Sequence, residues 1–189
     1  KYTTFFTVAC VLAMAIVPSF AFENSRFADK NKIFTSLVKE GADKLLYYFN
    51  YYHDGFSNAT PKEQIESLHN FSEQGMEKII DIIYDYFDSF KLIICCGFGS
   101  SYGNFVDVLV DMEVESTVKF VEVLKKQGHD LPHIRVDLCH ILANSLFNGI
   151  FEIVAHDFDK ESAKEYVNSL QDFFAAGWDR LLGLKYEEK

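Results

Sequence analysis

The side chains best placed for chemistry are acids spaced four residues apart in one predicted helix. Asp107, Asp111 and Glu115 project from one side of that helix, and His140 and Asn144 lie one turn apart in a later helix. Such oxygen and nitrogen donors suit a divalent cation or a cationic ligand. We favour a solvated acidic stripe and expect no cofactor. The alternative is a metal site formed by Asp111, Glu115 and His140.

The motifs of the common enzyme classes are absent from the sequence. It contains no G-x-S-x-G or H-E-x-x-H motif, and the turn at residues 97–101 lacks the Lys of a phosphate-binding loop. The four cysteines, Cys10, Cys95, Cys96 and Cys139, include no C-x-x-C pair, so they favour buried thiols over a metal or redox site. We therefore expect a binding protein, not an enzyme.

Composition favours a helical domain as the scaffold for these residues. Of 189 residues, 49% are hydrophobic, whereas only 3 are Pro and 10 are Gly. So few helix breakers favour long helices over the frequent turns of a β protein. The net charge of -10 has the wrong sign for a broad nucleic-acid-binding face. The fold class that we predict is an all-α helical bundle.

Hydrophobic periodicity and helix-end signals place the elements of this bundle. The first helix should start at Asp29 or Asn31 and end near Gly55. Later helices are predicted from Pro61 to about residue 87, then over 87–96, from Asn104 or Tyr102 to residue 127, and over 133–156 and 160–182. Thr60 and Glu63 form a capping box, and Gly128 ends the fourth helix. The last two helices are apolar on more than one face, so we expect them to form a two-fold dimer interface.

The N-terminal 28 residues differ in character from the rest. Residues 2–22 carry no charged side chain, and small residues at Ser19 and Ala21 follow Pro18. This pattern is typical of an export signal cleaved after Ala21, and a membrane anchor over residues 1–21 or a buried or aberrant terminus is the alternative. The predicted domains are an apolar segment over 1–28, a helical body over 29–184 and a tail over 185–189.

Short runs in the C-terminal two-thirds carry a family resemblance. Residues 172–178 read Asp-Phe-Phe-Ala-Ala-Gly-Trp and follow Tyr166-Val167, while residues 105–107, 113–117 and 149–157 add weaker matches. Together they resemble the regulatory body of TetR/AcrR-family transcriptional regulators. Residues 27–34 are similar to the junction between the DNA-binding head and this body, where Lys30 matches a phosphate-contacting Lys. Residues 1–26 lack the polar and basic residues of a helix-turn-helix head, so DNA binding is expected only where an intact head is present.

The resemblance implies a cytoplasmic homodimeric repressor whose body binds a small apolar or cationic molecule. The expected ligand-binding residues surround the predicted centre of the body and are Phe87, Phe90, Tyr102, Phe105, Met112, His140, Asn144, Phe147 and Phe151. The expected dimerisation residues lie on the last two helices and are Phe147, Ile150, Tyr166, Leu170, Phe173, Phe174 and Trp178. The alternative function is an exported or membrane-tethered helical binding protein that uses the same pocket.

Overall fold

Six α-helices form the part of the chain that the structure describes. This computed structural model describes the backbone of residues 3–183 and the side chains of residues 29–65, 68 and 74–183. The helices are α1 (Thr3–Asn58), α2 (Pro61–Asp85), α3 (Phe87–Cys96), α4 (Phe105–Lys126), α5 (Val136–Ala155) and α6 (Lys160–Leu182). No strand occurs over residues 3–183. The predicted all-α bundle is confirmed.

Helix α1 is longer than the sequence pattern predicts. It runs without a break from Thr3 to Asn58, so the predicted start at Asp29 or Asn31 and the predicted end near Gly55 are both wrong. Residues 23–40 contain no Gly or Pro to interrupt the helix. At the other end, the buried ring of Phe56 packs on Phe120 with centroids 5.3 Å apart and holds the last turn in place.

The chain divides within α1 into two compact units, residues 1–37 and 38–189. The exposed Lys30 lies on the α1 segment of the first unit. The side chains of the predicted export signal or anchor, residues 1–28, and the whole of the predicted tail, residues 185–189, lie outside the described residues. The remaining structural findings concern the second unit.

Local signals set the ends of most helices in this unit. Thr60 Oγ accepts from the Glu63 amide at 3.3 Å, and the Glu63 carboxylate accepts from the Thr60 amide at 2.8 Å, so the predicted capping box is confirmed. Gly128, with φ +88°, follows the end of α4 as predicted. Helix α5 begins at Val136 and not at residue 133, because Arg135 has an extended backbone with φ -77° and ψ 137°.

Helix α5 lies at the centre of this unit and packs against α3, α4 and α6. Its Phe151 meets Phe90 of α3 and Phe105 of α4, with ring centroids 6.1 and 6.4 Å away. Among the helices searched over the described residues, α5 alone is long and apolar enough to cross a membrane by composition. Here one side of α5 lies in the bundle core, including Phe147, Ile150 and Phe151, whereas Val136 and Ile141 are each 59% exposed.

Two side chains, those of Lys91 and Tyr84, form hydrogen bonds at the C-terminal end of α5. The Lys91 ammonium donates to the carbonyls of Val154 and Ala155 at 3.0 Å each, and to the Asp157 carboxylate at 2.7 Å. The Tyr84 hydroxyl donates to the Phe158 carbonyl at 2.7 Å. The Lys91 bonds therefore reach carbonyls in the last turn of α5, and the Tyr84 bond holds the chain just after it.

Candidate ligand-binding cavity

A cavity of about 200 Å³ lies between helices α1, α2, α4, α5 and α6. Aromatic rings form most of its wall, from Phe49, Tyr52, Phe56, Phe120, Phe147 and Trp178. Aliphatic and small residues complete the apolar wall, namely Leu68, Gly75, Met76, Ile79, Leu146, Ala175 and Leu182. The polar side chains at the cavity are those of His53, Glu113, Ser116, Thr117 and Asp179. An apolar cavity with a few convergent polar groups has the composition of a small-molecule site.

Helical spacing explains why these side chains converge. Helix α1 contributes residues 49, 52, 53 and 56, α4 contributes 113, 116, 117 and 120, and α6 contributes 175, 178, 179 and 182. In each helix the spacing is three, one and three, which places all four side chains on one face. Three matching stripes therefore meet at the cavity, and α2 and α5 complete the enclosure.

The polar centre of the cavity is a contact between a histidine and a glutamate. His53 Nε2 lies 3.4 Å from Glu113 Oε2. The imidazole is only 18% exposed, and its edge meets the ring of Phe49 with centroids 4.5 Å apart. The two side chains come from α1 and α4, so this contact links the walls of the cavity.

The cavity favours the uncharged form of both groups. Burial lowers the pKa of His53 to about 4, the charge of Asp54 opposes this shift, and the charge of Lys119 adds to it. Burial raises the pKa of Glu113 to about 7, against the opposing hydrogen bond from Thr117. Between about pH 4 and pH 7 the Glu113 carboxyl group therefore holds a proton beside a neutral imidazole.

Tyr52 packs directly on the backbone of α2. A Cβ atom added at Gly75 would lie 2.4 Å from Tyr52 Cζ, so only glycine leaves room for the ring in this position. Burial raises the pKa of the Tyr52 hydroxyl, with the charge of Tyr48 adding to the shift. The hydroxyl therefore stays protonated at neutral pH and forms part of the cavity wall.

No family model, curated protein or solved structure matches this chain. The resemblance to TetR/AcrR regulators consequently rests on the sequence runs given above.

The expected ligand-binding residues are mostly elsewhere in the bundle. Of the nine, Phe147 alone lines the cavity. Phe90, Phe105 and Phe151 are buried against one another in the core. Phe87, Tyr102 and Met112 are half-buried outside the cavity lining, and His140 and Asn144 are exposed on α5. The cavity therefore does not coincide with the site that we expected around these residues.

The acidic stripe on α4 faces solvent. Asp111 is 76% exposed and lies 3.9 Å from His140 Nδ1, while Glu115 forms an ion pair with Lys119 at 2.8 Å. Among the described side chains, no group of three or more His, Cys, Asp and Glu is arranged to hold a metal ion. The metal site of Asp111, Glu115 and His140 stays a prediction.

The expected dimerisation residues divide into three sets. Phe147 and Ile150 are buried inside the bundle and do not reach its surface, and Trp178 lines the cavity. The half-buried residues of the set pack within the chain, Tyr166 on Phe158, Leu170 on Gly149 and Phe174 on Phe173. Phe173 itself is 73% exposed, so it is the member of the set with most surface left for a partner.

The sequence interpretation missed His53 and Glu113, although both carry a readable signal. His53 lies in line with the buried residues Phe49 and Phe56 at spacings of four and three. Glu113 is likewise seven residues before the buried Phe120 on α4. A titratable residue within an apolar stripe indicates a buried polar group more directly than an acidic stripe does.

Proposed function

We propose that this chain forms the ligand-sensing and dimerisation body of a TetR-like transcriptional regulator. The observation that carries the proposal is the cavity, because it has an apolar wall and a small polar centre within one helical bundle. Helices α1, α4 and α6 each supply a face of it, so a bound molecule contacts all three. A molecule that prefers one arrangement of these helices shifts the protein towards that arrangement, which is the basis of sensing.

The surface of α6 supports the dimerisation part of the proposal. Phe173 is 73% exposed, and the small residues Ala176 and Gly177 lie exposed one turn further along. A large aromatic beside small residues suits the close packing of a second helix. In the regulator that we propose, α5 and α6 pair with the same helices of a second copy, and Lys30 contacts a DNA phosphate where an intact DNA-binding head is present.

Binding to the cavity can be tested by fluorescence, because the sequence contains a single tryptophan and it lines the cavity. We expect tert-butylbenzene to change the Trp178 emission in a saturable way and to raise the midpoint of thermal unfolding. Ser116→Phe fills the cavity and should abolish both effects. Ser57→Phe, the same change at an exposed position of α1, should leave both unchanged. Equal responses in the two variants would contradict binding at this cavity.

Dimerisation can be tested by light scattering. We expect the unaltered protein to have the mass of two chains and Phe173→Glu to have the mass of one, with an unchanged helical circular dichroism spectrum. Tyr47→Glu is the control, because Tyr47 is 71% exposed on α1 and lies outside the proposed interface. A monomeric unaltered protein would remove dimerisation from the proposed function.

A further inference from the structure

We infer that the cavity binds a monovalent organic cation, and that this cation replaces the proton of the Glu113 carboxyl group. The inference rests on the proposed function, since it names the ligand class of the same cavity. It goes further by assigning the selectivity to Glu113 and by coupling binding to the release of a proton.

The charges at the cavity favour a cation over an anion. Two carboxyl groups, those of Glu113 and Asp179, lie in the described lining, which contains no Lys or Arg. Lys119 is near enough to influence His53, but its ammonium pairs with Glu115 at 2.8 Å and is 61% exposed. An anionic ligand would therefore face acidic groups, with the neutral imidazole of His53 and no Lys or Arg in the described lining.

The aromatic wall favours the same ligand class. Tyr52 and Trp178 stand at the cavity together with four phenylalanine rings. The faces of aromatic rings carry partial negative charge and attract cations, most strongly where water is excluded. A quaternary or tertiary ammonium with an apolar body would bury that body against the rings and direct its charge towards Glu113.

The proton exchange follows from the groups that surround Glu113. Its carboxyl faces His53 at 3.4 Å, and the other titratable residues of the lining are Tyr52 on α1 and Asp179 on α6. Among the side chains that the structure describes, those that α2 and α5 contribute to the lining are not titratable, and Asp54 and Lys119 act on His53 from outside it. The neutral carboxyl group loses its proton to solvent, and its carboxylate pairs with the incoming cation.

A pair of probes with the same shape isolates the charge. Phenyltrimethylammonium carries a permanent positive charge and no titratable proton, and tert-butylbenzene is its neutral counterpart. We expect calorimetric titrations in two buffers of different ionisation enthalpy to show release of close to one proton at pH 6 for the cation and none for tert-butylbenzene. With Glu113 titrating at about 7, the affinity for the cation should rise about 30-fold from about pH 5.5 to about 8.5.

Substitution of the carboxyl group gives the second test. Glu113→Gln should reduce the affinity for phenyltrimethylammonium at pH 8 at least about tenfold and abolish proton release, while the affinity for tert-butylbenzene changes little. Glu122→Gln, an exposed position on the same helix, should behave like the unaltered protein. If Glu113→Gln does not fold, proton release by the unaltered protein decides alone.

The outcomes separate this inference from the proposed function. Cation binding without proton release, or tighter binding of tert-butylbenzene than of the cation at pH 8, would overturn the inference and leave the cavity as a site for neutral molecules. Failure of both probes to bind would overturn the inference together with the ligand-sensing function.

Discussion

The imidazole of His53 meets the carboxyl of Glu113 between α1 and α4, with Nε2 and Oε2 3.4 Å apart. Burial moves the pKa of each group towards its neutral form, to about 4 for His53 and about 7 for Glu113. The unfolded chain returns both groups to their ordinary values of 6.5 and 4.5. The burial of these two side chains therefore makes the free energy of unfolding depend on pH in two opposite ways.

The first prediction is that single substitutions expose these opposite dependences. Between pH 4.5 and 7 the folded protein holds the Glu113 proton that the unfolded chain has lost, so this contribution to stability falls as pH rises. Between pH 4 and 6.5 the unfolded chain holds a proton that folded His53 lacks, so the second contribution rises with pH. In the unaltered protein the two nearly cancel over the shared range.

Urea unfolding at a series of pH values measures the effect. Relative to the unaltered protein, Glu113→Gln should make the free energy of unfolding increase with pH over this range, by at most about 1.4 kcal/mol per pH unit. His53→Gln should make it decrease. The Glu113 side chain is 35% exposed, so solvent screening reduces the slope of His53→Gln, in which Glu113 still titrates. If the free energy of unfolding changed with pH in the same direction in both variants, the opposite pKa shifts of His53 and Glu113 would be contradicted.

A second prediction concerns the close approach of α1 to α3. A Cβ atom at Gly41 would lie 2.8 Å from Tyr86 Cβ and 3.3 Å from Ser89 Cβ, which are fixed near the backbone. Gly41→Ala should therefore lower the free energy of unfolding by about 1–3 kcal/mol despite the better helix propensity of Ala. A Cβ atom at Gly75 meets only the far end of the Tyr52 ring, so Gly75→Ala should lower the free energy of unfolding by less than Gly41→Ala. It should instead change the binding of tert-butylbenzene, because the displaced ring moves into the cavity.

The third prediction is that Lys91 stabilises the bundle through the end of α5. Its ammonium bonds the carbonyls of Val154 and Ala155 and the Asp157 carboxylate at the end of α5, so Lys91→Met should lower the free energy of unfolding by about 1–3 kcal/mol. Lys119→Met removes an exposed pair with Glu115 and should change it by less than about 0.5 kcal/mol. Denaturant titrations of the two variants at equal protein concentration make the comparison. Similar losses in both would show that the bonds of Lys91 add nothing specific.

A fourth prediction compares two helix starts. Thr60 caps α2 through its side chain, whereas Asn104 at the start of α4 makes no capping bond through its side chain. Thr60→Ala should therefore lower the free energy of unfolding, measured by thermal denaturation, by about 1 kcal/mol. Asn104→Ala should lower it by much less. A cost at Asn104 equal to that at Thr60 would contradict the described geometry of the α4 start.

Sequence patterns predicted the helices that have strong local signals. The capping box of Thr60 and Glu63 and the left-handed Gly128 are decided within a few residues, so α2 and α4 were predicted closely. The end of α1 was missed because it depends on the packing of Phe56 against Phe120, 64 residues later in the chain. Contacts of that kind leave no mark on the local pattern.

The cavity was missed for a related reason. Periodicity shows which face of a helix is apolar, but it does not show how far one helix slides or rotates against the next. Phe105 and Glu113 lie two turns apart on α4, yet one packs in the core with Phe151 and the other stands at the cavity. Whether a residue of α4 lies in the core or at the cavity is set by how the five helices pack together, and the α4 sequence alone does not show it.

Because the cavity has walls from five helices, no single one of them bounds it. A molecule that fills this space contacts side chains of α1, α2, α4, α5 and α6 at the same time. Its size therefore bears on the spacing of all five helices, including those that hold no charged group at the cavity.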